Sequence, residues 1–244
     1  MLRSLASNRN LSSMRAQRWQ NVAMRLILIR HGQTASNIGR HLDTGAPGAP
    51  LTELGQEQAR ALPEALEGQR IDGIFSSNLL RTQQTAAPLA QARGLSIQIR
   101  AGLQEIPAGD LEMANDEESI QSYLGVVMEW AAGNEQGKMP GTACTGAMVL
   151  GRFDQVVDEI LGQGLEAAAL VSHGAIIRAW VGSRAVNLEP GFTARTPVSN
   201  TGVVVLEQRA GRWVVVQWQE QALGGRELDD RGDDGAAAQA QTAE

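Results

Sequence analysis

Two histidines of this chain share one local setting, each near the end of a short apolar run and directly before a glycine. His31 follows the run 26–29 and Arg30, and His173 follows the run 168–171 and Ser172. An apolar run of this length that stops at a glycine predicts a buried parallel strand and then a tight loop. Two such strands in one sheet would place both imidazoles at the edge where open α/β sheets bind ligands. A histidine pair beside an arginine is suited to holding and transferring a phosphoryl group.

The elements expected to position these side chains alternate between strand and helix patterns. Further strands are predicted at 71–76, at 95–99 and in a closing hairpin whose strands are 203–206 and 213–216, and helices at 52–67, 78–93, 116–131 and 149–161. This alternation favours an α/β fold, a three-layer sandwich with a mostly parallel central sheet flanked by helices. The closing hairpin would add an antiparallel edge to that sheet.

Composition excludes several classes of protein. The 244 residues are 43% hydrophobic and 20% charged, which is typical of a globular domain. The net charge of -6 argues against a nucleic-acid partner. No apolar run approaches the roughly 18 residues that cross a bilayer, so no membrane partner is expected. The single cysteine, Cys144, permits no intrachain disulfide and favours a cytoplasmic location; we interpret it as a structural thiol.

The two ends differ in composition from the middle of the chain. Residues 1–23 contain four arginines and no acid, and we expect a disordered basic extension, explained by an upstream start codon or by an organelle transit peptide. Residues 24–223 would form the catalytic domain. Residues 224–244 are acidic and poor in apolar side chains, and we expect a disordered tail.

Four sequence blocks together resemble a known family. They are Arg-His-Gly-Gln-Thr-Ala-Ser-Asn at 30–37, Pro-Leu-Thr-Glu-Leu-Gly-Gln-Glu-Gln-Ala at 50–59, the segment 75–86 around Arg81, and Val-Ser-His-Gly at 171–174. In this order and spacing they resemble the signature of the histidine phosphatase superfamily, the phosphoglycerate mutase-like family. The resemblance implies that family's α/β fold and a phosphohistidine intermediate.

The resemblance also implies roles for individual residues. His31 matches the nucleophile, and imidazole suits this role because it is neutral and nucleophilic near pH 7. Arg30, Arg81 and His173 match the phosphate pocket, in which guanidinium groups donate to the phosphoryl oxygens. Further phosphate-binding positions are expected at Asn37, Thr34, Thr44 and Gly174. Without the resemblance, Arg81 would be interpreted as a solvated helix residue.

A proton donor for the leaving group is expected at Glu105, directly after the third strand, where the family places its catalytic carboxylate. The carboxylates that follow, Asp110 and Glu112 among them, are interpreted mainly as a solvated acidic face. His41 lies outside the matching positions, and we assign it no role.

Two segments depart from the family pattern and leave the substrate open. The common Gly-x-Trp-Glu-Gly is replaced by Gly-Asp-Leu-Glu-Met at 109–113, and Pro-Gly-Gly-Glu-Ser by Pro-Gly-Thr-Ala-Cys at 140–144. No zinc or nucleotide motif is present, and arginines beside the histidines would repel a metal ion, so we expect neither metal nor cofactor.

We therefore predict a phosphatase acting on a small phosphorylated substrate. Two alternatives stay open, a phosphoglycerate mutase and a catalytically silent sensor of a phosphorylated ligand. A homodimer is also compatible with the sequence.

Overall fold

The structure is a computed structural model and describes residues 22–229 together with 235 and 236. The expected N-terminal extension, residues 1–23, lies outside the described residues except for Val22 and Ala23, which begin the first strand. Among the described helices, none combines the length and the apolar character needed to cross a bilayer.

Six strands form one sheet. They are β1 (Val22–Arg30), β2 (Gly73–Ser76), β3 (Ile97–Ile99), β4 (Ala167–Ser172), β5 (Val203–Arg209) and β6 (Arg212–Gln219), in the spatial order β3-β2-β4-β1-β5-β6. The first four are parallel to one another, whereas β5 pairs antiparallel with β1 and β6 pairs antiparallel with β5. The predicted α/β fold, mostly parallel sheet and antiparallel hairpin are confirmed.

The helices cover both faces of this sheet. They are α1 (Ala35–Ile38), α2 (Glu53–Ala65), α3 (Leu80–Arg93), α4 (Glu117–Ala131), α5 (Gly146–Gly162), α6 (Gly174–Arg184) and α7 (Phe192–Arg195), with 3₁₀ turns at Ala101–Leu103, Gly109–Leu111 and Arg226–Leu228. Thr52 caps α2 and Asp116 caps α4, because each side chain accepts a hydrogen bond from a backbone N–H of the first turn. The predicted helix 52–67 ends slightly earlier, at Ala65.

The alternation of side chains along β1 divides the core into two layers. Leu26 and Leu28 pack with α4, α5 and α6, whereas Ile27 and Ile29 pack with α2 and α3 on the opposite face. Because successive strand residues point to opposite faces, an unbroken apolar run is what a sheet covered on both sides requires.

The sheet order brings the two histidines together. β4 lies directly beside β1, and the register pairs Arg30 with Ser172, so His31 and His173 follow these strands at the same level. The N–H of His31 continues this ladder by donating to the Ser172 carbonyl at 3.0 Å. On the other side of β4, β2 ends at the same edge and is followed by Ser77.

The expectation of a disordered tail from residue 224 is wrong for the part of it that the structure describes. Arg226–Leu228 form a 3₁₀ turn against α2, where the Gln58 side chain donates to the Leu228 carbonyl at 2.8 Å. Ala236 is 3% exposed and belongs to the core layer that contains α4 and α6. A few apolar contacts hold this segment although its composition is polar.

Candidate active site

His31 is held as a neutral imidazole with one nitrogen available. Its Nδ1 lies 2.8 Å from the Gly32 carbonyl oxygen. Since a carbonyl only accepts, the proton is on Nδ1, and Nε2 carries the lone pair. Burial, reinforced by the charges of Arg81 and Arg30, holds the pKa of His31 well below its ordinary value. Both effects favour a nucleophilic imidazole.

His173 packs edge-on against this nucleophile, with the two ring centroids 5.2 Å apart. Its Nε2 lies 2.8 Å from Ser77 Oγ, and its buried Nδ1 has no hydrogen-bond partner among the described residues. Burial, then the charge of Arg81, lowers the pKa of His173 well below its ordinary value. The neutral form in which the Ser77 hydroxyl donates to Nε2 carries its N–H at Nδ1, where a phosphoryl oxygen could accept it.

Two buried guanidinium groups supply positive charge. Arg30 is 1% exposed, and its Nη1 donates to the Val198 carbonyl at 2.8 Å. Arg81 lies on α3, where its Nη2 donates to the Asp43 carbonyl at 2.8 Å and its Nη1 is 3.7 Å from the Asp43 carboxylate. The Nε of Arg81 has no hydrogen-bond partner among the described residues and is available to an anion.

Glu105 is a buried carboxyl at the N-terminus of α6. Its Oε1 accepts hydrogen bonds from the N–H groups of Ile106 and Ile176, and its Oε2 from that of Ala175, at 2.8 to 3.1 Å. Burial nevertheless raises the pKa of Glu105, outweighing these hydrogen bonds and the charge of Arg81. A raised pKa favours the protonated carboxyl, which is the form that a general acid needs.

Thr34 and Asn37 form the entrance turn of α1. The Thr34 hydroxyl and N–H both donate to Asn37 Oδ1, at 3.0 and 2.9 Å, and the Asn37 N–H donates back to Thr34 Oγ1. Because Oδ1 is occupied, the amide nitrogen of Asn37 is the side-chain group left for a ligand.

Thr44 lies in the pocket wall, but its hydroxyl is already bonded. It donates to the Glu112 carboxylate and accepts from the Ala108 N–H at 3.0 Å. Glu112 also accepts from the N–H groups of Thr44 and Gly45. Glu112 therefore fixes the loop that carries Thr44, a role that its interpretation as a solvated residue missed.

Most of these side chains line one pocket with an empty volume of about 410 Å³, open solvent at its mouth included, whereas the predicted His173 is not among its lining residues. The predicted residues that line it are Arg30, His31, Thr34, Asn37, Thr44, Arg81, Glu105 and Gly174, and it is also lined by Ser36, His41, Leu42, Asp43, Tyr123 and Ala236. Within the part of the chain that the structure describes, no group of three or more His, Cys, Asp or Glu residues could hold a metal ion.

Several residues that shape the site escaped prediction. Ser77 orients His173, Asp43 holds Arg81, and Ala236 closes part of the wall. Asp43 lies beside Thr44 in the Gly/Pro-rich loop, and Ser77 directly follows a predicted strand, so both had a positional signal. Ala236 had none, because it lies in a polar, low-complexity segment.

A family model of the histidine phosphatase superfamily, branch 1, matches residues 26–221. The chain belongs to this superfamily. The match begins within β1 and ends after β6, so it includes part or all of every strand, and it confirms the family resemblance. A crystallised relative, mycobacterial glucosyl-3-phosphoglycerate phosphatase, shares 25% identity and superposes with a TM-score of 0.67 over 81% of this chain and 99% of that one.

Sequence relatives in the superfamily carry different names. The PE-PGRS family protein PE_PGRS11 of Mycobacterium tuberculosis is 35% identical over 206 residues, which cover 78% of this chain but only 35% of that longer protein. A Yersinia enterocolitica protein named "Probable phosphoglycerate mutase GpmB" is 28% identical over 208 residues, covering 82% of this chain and 93% of the relative. Mutase and phosphatase names thus both occur among similar proteins.

Proposed function

We propose that this protein is a phosphatase that hydrolyses a small phosphomonoester through a phosphohistidine on His31. The observation that carries the proposal is the combination of a neutral, oriented His31 with a buried Glu105 whose pKa is raised. Transfer of a phosphoryl group to an enzyme side chain needs a neutral nucleophile and a protonated general acid. These opposite pKa shifts favour both forms.

In the first step, the Nε2 lone pair of His31 attacks phosphorus and the bond from phosphorus to the leaving oxygen breaks. Glu105 gives its proton to that oxygen, so the product leaves as an alcohol. Arg30 and Arg81 stabilise the negative charge on the phosphoryl oxygens, and the N–H on Nδ1 of His173 adds a donor.

In the second step, Glu105 is a carboxylate and takes a proton from water. The water oxygen attacks phosphorus, the bond to Nε2 breaks, and inorganic phosphate leaves. His31 is again neutral with its proton on Nδ1, and Glu105 is again protonated, so the cycle closes without a cofactor.

The test uses the purified full chain with p-nitrophenyl phosphate and 3-phosphoglycerate, with phosphate release measured beside conversion between 3- and 2-phosphoglycerate. We expect phosphate release to exceed conversion between the two phosphoglycerates. We also expect a phosphoryl label that is acid-labile and base-stable to appear on His31. His31→Ala should lose label and more than about 10³-fold in turnover. Lys138→Ala, an exposed change, is the control.

Two results would contradict the proposal. Mutase turnover that exceeds hydrolysis would support the mutase, which the GpmB relatives suggest. Phosphate binding without any labelling or turnover would instead support a ligand sensor.

A further inference from the structure

The pocket wall beyond the phosphoryl-binding residues has little unused polarity. The Ser36 hydroxyl donates to Asp43 at 2.8 Å, and the Tyr123 hydroxyl donates to the Ile106 carbonyl at 2.9 Å. The Thr44 hydroxyl is bonded to Glu112, as described above. Leu42 and Ala236 contribute only apolar surface.

His41 is the exception in this wall. Its Nδ1 lies 2.9 Å from the Met113 carbonyl oxygen, so in the neutral imidazole the proton is on Nδ1 and Nε2 is able to accept. No described residue is hydrogen-bonded to Nε2. The ring packs on Gly39, where a Cβ would come within 2.6 Å of His41 Cδ2 and 2.9 Å of Nε2, so a side chain at position 39 would displace it. His41 thus lines the pocket with one ring nitrogen that no described residue uses.

The described wall offers no further positive charge to a second anionic group. Its arginines are Arg30 and Arg81, and both lie close enough to His31 to lower its pKa. The acidic groups of the wall are Asp43, which lies beside Arg81, and Glu105, which is protonated when the substrate binds in the proposed mechanism. A carboxylate on the leaving group would therefore meet no further arginine or lysine among the described lining residues.

We propose that His41 is a specificity-determining residue that accepts a hydrogen bond from a hydroxyl of an uncharged leaving alcohol. The substrate class is then a polyol-type phosphomonoester, and esters whose leaving group carries a carboxylate are disfavoured. This inference rests on the proposed phosphatase function. It separates this chain from relatives whose names contain phosphoglycerate, since the alcohol that phosphoglycerate releases is glycerate, which carries a carboxylate.

The first test compares kcat/KM of the full chain for three esters of matched size. Glycerol 3-phosphate and 3-phosphoglycerate differ in replacing a hydroxymethyl group by a carboxylate, and 1-propyl phosphate lacks the hydroxyls. We expect glycerol 3-phosphate to exceed 3-phosphoglycerate about tenfold, because the carboxylate of 3-phosphoglycerate would lose water without gaining an arginine or lysine partner among the described lining residues. It should exceed propyl phosphate about fivefold, the size of one hydrogen bond.

The second test measures whether these substrate preferences depend on His41. In His41→Ala the ratio of glycerol 3-phosphate to propyl phosphate should fall from about five to about one, chiefly through KM. His41→Asn, which retains an acceptor, should restore part of the ratio. His41→Arg should raise 3-phosphoglycerate relative to glycerol 3-phosphate about tenfold. Lys138→Ala should keep every ratio.

The outcomes separate the inference from the function on which it rests. A wild-type preference for 3-phosphoglycerate, or an unchanged ratio in His41→Ala, overturns the inference while leaving the phosphatase intact. Failure to hydrolyse all three esters and p-nitrophenyl phosphate overturns the proposed function, and the inference with it.

Discussion

At the scale of single residues, burial has opposite effects on the pKa values of the proposed nucleophile and the proposed general acid. It penalises whichever form is charged, so it lowers the pKa of His31 and raises that of Glu105. Both shifts favour the uncharged forms, the neutral imidazole and the protonated carboxyl. The hydrogen bond from His31 Nδ1 to the Gly32 carbonyl determines which imidazole nitrogen carries the proton, and burial alone does not determine this.

Replacing Glu105 tests the acid directly. Glu105→Gln should slow hydrolysis of an alkyl phosphate by about 10²-fold or more, because a poor leaving group needs the proton. Formation of phosphohistidine from p-nitrophenyl phosphate should be slowed far less, since nitrophenolate leaves without a proton. Rapid-quench kinetics should then show a burst of nitrophenolate followed by slow turnover.

One result would contradict this role of Glu105. If Glu105→Gln slows the burst by the same factor with both substrates, Glu105 is not the general acid. Asp110 and Glu112 lie in the same loop, but Glu112 is bonded to Thr44 and Gly45. Asp110→Asn would be the next variant to measure.

The buried His173 predicts a pH dependence of stability. Its folded pKa lies below the ordinary 6.5, so below pH 6.5 the unfolded chain binds a proton that the folded chain excludes. Its contribution is complete above pH 6.5 and is lost as the pH falls toward the folded pKa, by at most about 1.4 kcal/mol per pH unit. Urea unfolding between pH 8 and 5.5 should show a steeper loss for wild type than for His173→Gln. Parallel curves would show that His173 titrates normally.

Sequence reasoning predicted the positions of the candidate site residues better than the residues that hold them in place. Arg30, His31 and His173 could be placed at strand ends because an apolar run predicts a strand and parallel strands share an edge. The partners of these residues depend on which loops approach them in three dimensions. Val198, which accepts from Arg30, is 168 positions away in the chain, and no local pattern predicts that contact.

At the scale of elements, periodicity predicted the kinds of element and left their arrangement open. The position of β4 between β1 and β2 results from tertiary packing, which periodicity does not predict. This position brings Ser77, which follows β2, within hydrogen-bond distance of His173. The turn after β1 also depends on close packing against α2. A Cβ at Gly32 would lie 2.6 Å from the Gly55 carbonyl oxygen, and one at Gly55 would lie 2.2 Å from the Gln33 carbonyl oxygen.

Two glycine substitutions test this packing. Gly55→Ala should destabilise the fold by about 1–3 kcal/mol, because backbone must move to admit the methyl group. Gly125→Ala is the matched control in the helix α4, where a Cβ meets no atom within 4 Å. That change should stabilise the fold by up to about 1 kcal/mol through helix propensity. Urea unfolding measures both, and equal effects would mean that the contact between the β1 turn and α2 is loose.

At the scale of the whole molecule, composition predicts average behaviour and misses isolated contacts. The acidic segment after Gly224 has few apolar residues, yet Leu228 contacts α2 through its carbonyl and Ala236 is buried in the pocket wall. Two or three such contacts are too few to change the composition of a segment. They are sufficient to place part of it beside the site.

Truncation should therefore separate two roles of this segment. A chain that ends at Asp229 retains the 3₁₀ turn but lacks Ala236, so KM for a small ester should rise about fourfold, the effect of losing a contact of one methylene. Its thermal midpoint should change little.

A chain that ends at Gly224 also loses the bond from Gln58 to the Leu228 carbonyl, and its midpoint should fall by several degrees, roughly the effect of 1 kcal/mol. Removal of residues 1–21, which precede β1, is the matched control. If both C-terminally truncated chains keep the wild-type KM and midpoint, as the control should, the segment after Gly224 contributes neither to the pocket nor to the stability of the fold.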